Sequence, residues 1–398
     1  MPKPPQAQSE VTISYWGLFE PKSNYEELIN EFQSNNPKIK VQYTQKGLKE
    51  YQQQLLARNG QPNGPDVFRY HNAWLPVVKK ILATTPQSTI DNLNYDKTFY
   101  PAVIVDLAAS PRGYYGIPLM YDGLGLYYNK KIFASKGLVA PPKEWDEIIE
   151  TAKKLRVPQD GGKIQVAGLA MGSVKNIDHW GEILSLLMTQ QSADIIHPDF
   201  TKDKTQGAIE FYIKMMTEHN LWSEDLENST ASFANEKVAM MFGVSWRAFE
   251  VQSINPNLDF AIAPVPQLPG TQVGISSYWV EGVSSGTTKE KQEASWKFLE
   301  FLASKQSQQK MYALQSSNRL FGEPYSRMDL SQDLSNNPYL GSILETAPSA
   351  YSTPLVDKTY DGSLNEELSN LYADHINSKK DDLVVLAEAI YVAINKYR

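Results

Sequence analysis

A chain of 398 residues, 41% hydrophobic and 21% charged, is sized for two globular cores rather than one. Its net charge of −7, without a basic run, excludes nucleic-acid binding, which needs a cationic face. No stretch reaches the roughly 18–20 uninterrupted apolar residues of a membrane span, and the absence of cysteine removes disulfides, thiolate metal sites and cysteine nucleophiles.

The start, MPKPPQAQSE, lacks the apolar core of a signal peptide and reads as a Pro/Gln/Ser-rich disordered tail over residues 1–10. Val11–Trp16 alternates as a half-buried strand and ends at Gly17. Ser23 with Glu26 three residues on reads as a capping box, and Tyr25, Leu28, Ile29 and Phe32 then share one helix face until Asn36-Pro37 stops it. Ile39, Val41 and Tyr43 give a second strand and Tyr51–Arg58 a helix. Asp66–Tyr70 is a third strand after the Gly64-Pro65 turn, and Trp74–Leu82 a further helix. Strand–helix–strand repetition at this spacing predicts βαβ units and mainly parallel sheets flanked by helices. Ligands of such sheets sit beyond the carboxyl ends of the strands, which points to Gly17–Ser23 and Arg69–Ala73.

Gly116–Phe133, GIPLMYDGLGLYYNKKIF, reads as strand, interruption, strand. Glycines inside a strand mark close approach of a ligand or of another backbone. Asp122 between them, beside Tyr121, suits a chain crossing between two lobes. Trp145–Leu155 is an amphipathic helix, Ile164–Leu169 a strand, and Met171–His179 a polar loop before helix Ile183–Gln190. Thr205–Asn220 and Ser232–Glu236 read as helices, and Val238–Phe242 and Leu258–Ala263 as strands. Pro264, Pro266 and Pro269 stiffen a connector that reads as a second crossing, after which Ile275–Val283 is one extended segment of the first lobe. Helices Glu290–Leu302 and Gln306–Leu314, a third crossing near Phe321–Pro324, and helices Leu364–Ile376 and Leu383–Tyr397 complete the chain.

Chemistry-bearing residues gather in the loops. Trp16 closes the first strand beside Gly17, either as a ligand platform or as a core tryptophan, and Glu20 is either a hydroxyl acceptor or a solvated loop carboxylate. Tyr70, His71 and Asn72 lie in a run dense in stacking and hydrogen-bonding groups. Asn176 and His179 flank Asp178, a helix-cap candidate. Trp246 and Arg247 follow Ser245 at the end of an apolar strand. Tyr278 and Trp279 point to opposite faces if extended, so only one faces a cleft. Aromatic and planar polar groups together are what a sugar's apolar C–H faces and hydroxyl rim require. The five scattered histidines have no metal-ligand spacing, so no metal and no cofactor is expected. Phosphate loops and a GxSxG elbow are absent, and only a Glu20/Asp122 carboxylate pair supports a glycan-acting enzyme.

VTISYWG with Glu20-Pro21, GPDVFRYHNAWLP, YYGIPLMYDGLGLYYNKKIF, PPKEWDEI, FANEKVAMMFGVSWRA, APVPQLPG, SYWVEGVS and RLFGEPYSR occur in that order. Together they resemble the family 1 extracellular solute-binding proteins, the maltose-binding-like receptors of ABC importers. The resemblance implies a two-lobed α/β periplasmic-binding-protein fold (type II) with three hinge crossings, near 120–125, 263–268 and 321–324. Lobe 1 is expected over 11–119 plus 268–322, and lobe 2 over 120–267 plus 323–398. It further implies an extracytoplasmic receptor, lipid-anchored in its precursor, that closes as a monomer on a carbohydrate and delivers it to a transmembrane permease. Asp122 falls at the family's acidic sugar ligand, Trp246 on its stacking tryptophan and Tyr70 near its first-lobe aromatic. Glu144 stands where the family often has Thr or Ser before a helix. The alternatives are the same fold binding a polyamine or organic anion, or a glycan-acting enzyme.

Overall fold

The structure is a computed structural model that describes residues 10–195, 197, 202–356, 363–378 and 383–396. Residues 1–9 of the expected tail and Tyr397 of the last helix lie outside them. The strands run β1 (Val11–Leu18), β2 (Ile39–Lys46), β3 (Val67–His71), β4 (Leu82–Ala83), β5 (Ile117–Pro118), β6 (Asp122–Asn129), β7 (Val157–Pro158), β8 (Ile164–Ala170), β9 (Val238–Val244), β10 (Phe260–Ala263), β11 (Gly274–Ser277), β12 (Trp279–Ser284) and β13 (Ala350–Ser352). The chain forms two compact units, Met1–Tyr121 with Tyr278–Leu330 and Asp122–Ser277 with Ser331–Arg398.

In the first unit the sheet order is β2-β1-β3-β12-β4, with β5 also paired to β12. β1 is parallel to β2 and β3, as a βαβ succession dictates. Helix Lys22–Asn35 buries Tyr25, Leu28, Ile29 and Phe32, the face read from their spacing. Its start differs from the expected capping box. The helix begins at Lys22 with Pro21 as N-cap and no side-chain cap, so Ser23 lies inside the first turn. Gly17 is a packing requirement: a Cβ there would stand 2.3 Å from the Tyr43 hydroxyl, which donates to the Glu20 carbonyl at 2.6 Å. Trp74–Leu82 is not one helix. Short 3-10 and α turns run from Asn72 to Ile81, and Leu82 then enters edge strand β4.

The core of this unit holds a charged cluster. Arg69 is fully buried on β3; its Nε donates to Glu281 Oε1 at 2.6 Å, its Nη1 to Glu323 Oε1 at 2.5 Å and its Nη2 to the Tyr25 hydroxyl at 3.2 Å. Tyr15 donates to the same Glu281 oxygen at 2.9 Å. Burial raises the Glu281 pKa more than Arg69 draws it down. Burial also pushes Glu323 up, but the charge and hydrogen bonds of Arg69, backed by Arg319, hold it below its ordinary value.

In the second unit the order is β13-β11-β6-β9-β8-β7, with β10 also paired to β6. β9 is parallel to β8, whereas β6 is antiparallel to β9, β10 and β11. The sheets are therefore mixed rather than mainly parallel. The strands that follow a passage from the other unit, β6 and β12, lie antiparallel to their neighbours, because no helical crossover fixes their direction. The glycines of β6 serve strand packing. A Cβ on Gly123 would meet the Ile275 carbonyl oxygen at 2.8 Å, and one on Gly125 the Ile262 Cγ2 at 2.3 Å.

The chain passes between the units at Tyr121–Asp122, Ser277–Tyr278 and Leu330–Ser331. The proline run is anchored within the second unit: Gln267 N donates to the Lys143 carbonyl at 2.8 Å and Gln190 Nε2 to the Pro266 carbonyl at 2.8 Å. The expected segment Ile275–Val283 consequently divides, β11 pairing with β6 and β12 with β3. After Pro324 the chain stays with the first unit through the Met120–Tyr325 and Phe99–Arg327 bridges. At helix Trp145–Leu155, Glu147 accepts from the N–H groups of Lys143 (2.9 Å) and Glu144 (3.4 Å), so the start is secured without Ser or Thr.

Candidate functional site

In the second unit, parallel strands β8 and β9 end at Ala170 and Val244. Because β6 runs antiparallel to β9 with Leu124 opposite Val244, its first residue, Asp122, arrives at the same sheet end. The loop after β8 and the turn after β9 deliver His179 and Ser245–Arg247 there.

Asp122 is 4% exposed and saturated with donors. Its Oδ1 accepts from the N–H of Gly123 (2.8 Å) and Ser245 (3.0 Å), and its Oδ2 from Ser245 Oγ (2.8 Å) and the Trp246 N–H (3.4 Å). Burial pushes its pKa up to about 6 against the lowering effect of those four bonds. The carboxylate holds the turn that opens helix Arg247–Ile254 and fixes the backbone of Trp246. The Trp246 ring is half-buried and meets the Phe249 ring edge-on at 4.8 Å.

Arg247 is held from two sides. Its Nε donates to His179 Nε2 at 3.0 Å and its Nη1 to Glu250 at 2.7 Å. His179 is fully buried, and its Nδ1 lies 3.1 Å from Glu182. Since Nε2 accepts from a guanidinium that cannot accept, the geometry assigns the ring proton to Nδ1, which donates to Glu182. Asn176 is corrected to a loop tie: its Nδ2 donates to the Ser223 and Leu226 carbonyls, and its Oδ1 accepts from Trp222 Nε1 at 2.9 Å. Asp178 secures helix Ser229–Ala234 rather than its own, accepting from Ser229 Oγ and from Thr230 N and Oγ1.

In the first unit, β1 and β3 end at Leu18 and His71. Trp16 is 6% exposed, with Lys46 Nζ 3.8 Å from its ring centroid, a cation–π contact. Glu20 is neither solvated nor open to a ligand. It is fully buried, its Oε1 2.6 Å from Arg319 Nη1 and its Oε2 taking Asn24 Nδ2 at 2.6 Å. Tyr70 is also a core residue, its hydroxyl donating to the Tyr115 carbonyl at 3.0 Å beneath Gly282.

His71 is fully buried, and burial lowers its pKa to about 3, so the ring is neutral; its Nδ1 accepts from Ala73 N. Asn72 Oδ1 accepts from Tyr278 N at 3.2 Å. The two adjacent aromatics of the Tyr278-Trp279 pair separate. Tyr278 is buried, donates to Asp106 at 2.7 Å and joins a row with Tyr121 and Tyr100. Trp279 gathers the edges of Phe19, His71 and Trp74 at 5.0 to 5.3 Å.

The structure thus brings together Asp122, His179, Trp246 and Arg247 in one unit, and His71, Asn72, Tyr278 and Trp279 in the other. The sequence reading missed Glu182, Glu250 and Phe249, each three residues beyond a residue it named and therefore on the same helical side. It also missed Lys46 and Phe19; Phe19 has a left-handed φ of 67°, which nothing in a phenylalanine announces. Among the described residues, no group of three His, Cys, Asp or Glu side chains is placed to hold a metal ion, and no helix is long and apolar enough to cross a membrane.

Residues 27–318 match the family of bacterial extracellular solute-binding proteins. A putative binding protein of Brucella abortus is 26% identical over 251 residues, which is 61% of this chain and 58% of that protein, so the match spans little more than half its length. The multiple sugar-binding protein of Streptococcus mutans is 23% identical over 329 residues, 78% of this chain and 75% of that protein. The sugar-binding protein MalE of Xanthomonas citri shares the fold, with a TM-score of 0.75 at 18% identity over 97% of each chain.

Proposed function

The chain belongs to the bacterial extracellular solute-binding proteins, and from that premise we propose that it is a carbohydrate receptor serving an ABC importer. The observation that carries the reading is the Trp246–Asp122 pairing at the strand ends of the second unit. A half-buried indole offers a flat apolar face, the guanidinium of Arg247 beside it offers donors, and the buried Asp122 carboxylate fixes the turn that presents both, a pairing of apolar and polar chemistry suited to a pyranose ring and its hydroxyls. The similarity to sugar-binding proteins of Streptococcus mutans and Xanthomonas citri supports the same reading. Asp122, Glu182 and Glu250 outnumber Arg247, which disfavours organic anions as the solute.

Ligand release chemically unchanged, work as a monomer, hand-over to membrane permease subunits and a lipid anchor on the precursor are parts of the same proposal. So is a ligand-driven rearrangement of the two units about the three chain passages. A thermal-shift screen over mono-, di- and oligosaccharides tests it: a ligand that binds only the native state raises the melting temperature. Small-angle scattering with the hit should show a smaller radius of gyration. No stabilising carbohydrate in the screen would overturn the receptor reading, and an unchanged radius the rearrangement.

A further inference from the structure

The first unit contains a cavity of about 730 Å³ that is lined by none of the candidate carbohydrate residues. Its floor includes Phe32 and Phe301, with ring centroids 5.5 Å apart. Its walls carry four cations, Lys97, Lys297, Lys305 and Arg327, and two carboxylates, Glu300 and Asp329. This is a local excess of positive charge in a chain whose net charge is −7.

Both carboxylates are already engaged. Arg327 grips Asp329 through two bonds, of 2.9 and 3.1 Å, and holds its carboxyl below the ordinary range, with Lys305 adding to the field. Glu300 accepts from Thr89 Oγ1 at 2.5 Å and Asn92 Nδ2 at 3.1 Å, neutral donors that orient its oxygens. Lys97, Lys297 and Lys305 come from three separate chain segments and form no ion pair among the described residues. Arg327 and Asp329 offset one another, so three ammonium groups stand against the single carboxylate of Glu300, a net excess of positive charge in one cavity.

We propose that this cavity binds a small organic anion carrying two or three carboxylate or phosphate groups, at a site separate from the carbohydrate residues. The volume lies within the roughly 300–1,000 Å³ of small-molecule pockets. Anion charge compensates the lysines, and the partly exposed Phe301 ring, packed on the buried Phe32, takes the ligand's carbon skeleton. Unlike the second unit's carboxylate-rich group, this site favours negative charge, so the two select opposite chemistries.

Calorimetry on the full chain at low salt, with citrate and separately with inorganic pyrophosphate, tests the site. Lysine-dependent binding of either anion supports it, and which of the two binds tells carboxylate from phosphate chemistry. Lys97→Gln and Lys297→Gln should each weaken binding about 2–5-fold, and physiological salt should weaken it further. Lys310→Gln is the control, since Lys310 is already paired with Glu27 and Glu31. All three are surface changes that leave the carbohydrate residues untouched. Absence of binding heat for both anions, equal affinity in the Lys97 and Lys297 variants, or binding of polyglutamate in place of the small anions would each overturn the proposal.

Discussion

Asp122 accepts hydrogen bonds from the backbone of Ser245 and of Trp246, residues 123 and 124 positions further along the chain. The first residue of β6 thereby positions the turn that carries the indole. Carboxylate and indole act as one device, one setting the other's backbone.

Two substitutions separate positioning from contact. Trp246→Ala removes a half-buried ring, so carbohydrate affinity should fall by about 1–3 kcal/mol with little change in melting temperature. Asp122→Ala leaves buried N–H donors of Gly123, Ser245 and Trp246 without their acceptor, so affinity and stability should fall together, the latter by about 1–3 kcal/mol. Calorimetry beside thermal melts reads both; a Trp246 variant with wild-type affinity would remove the indole from the site.

Asp122 also gives stability a pH dependence of definite sign. Its carboxyl titrates near 3.8 when unfolded and at about 6 in the fold, so the folded chain holds a proton that the unfolded chain has released. The resulting contribution is complete below the unfolded value and disappears as pH rises through about 6; it amounts to at most about 3 kcal/mol. Melting curves of wild type minus Asp122→Asn, followed from about pH 4 to pH 7, should show wild type losing ground as pH rises. A flat difference would mean that the four donors offset the burial completely.

His71 runs the other way. Burial lowers it from 6.5 to about 3, so the unfolded chain takes up a proton that the folded ring refuses. Stability from this residue is complete above 6.5 and is lost as pH falls toward 3, on the order of a few kcal/mol. His71→Gln keeps an acceptor for the Ala73 N–H and should flatten the acid limb of the melting profile. If wild type and variant lose stability in parallel below pH 6.5, His71 is not the group responsible.

The sequence made some of this legible and hid the rest for physical reasons. The face Tyr25, Leu28, Ile29 and Phe32 and the strand Val238–Phe242 were readable because periodicity reports burial directly. Asp122, Trp246 and Arg247 stood out because polar and aromatic groups at strand ends are unusual core choices. Glu20 misled because its partner, Arg319, lies 299 positions away and no local pattern reports such a pairing. Tyr70 and Asn176 misled likewise, since a buried hydroxyl or amide satisfied by a backbone carbonyl leaves no trace in composition. The extended run Ile275–Val283 hid a passage between units, because both of its halves are strands and a change of sheet leaves hydropathy unaltered.

The Arg69 cluster makes the sharpest stability prediction. Arg69 joins Glu281 on β12 to Glu323, so one guanidinium ties β3 to β12 and to the segment after helix Lys305–Ser316. Arg69→Met leaves two buried carboxylates facing each other without the cation that bonds both, Arg319 acting on Glu323 alone, and should cost about 3–5 kcal/mol. Glu323→Gln keeps the shape, and Arg69 retains Glu281 as a counter-charge, so the loss should be smaller. A double variant, Arg69→Met with Glu281→Gln, should recover part of the loss, because the uncompensated charge rather than the missing bond is the costly element. Urea midpoints with unchanged m-values measure all three. If Arg69→Met proves no worse than Glu323→Gln, the guanidinium is not what holds these strands together.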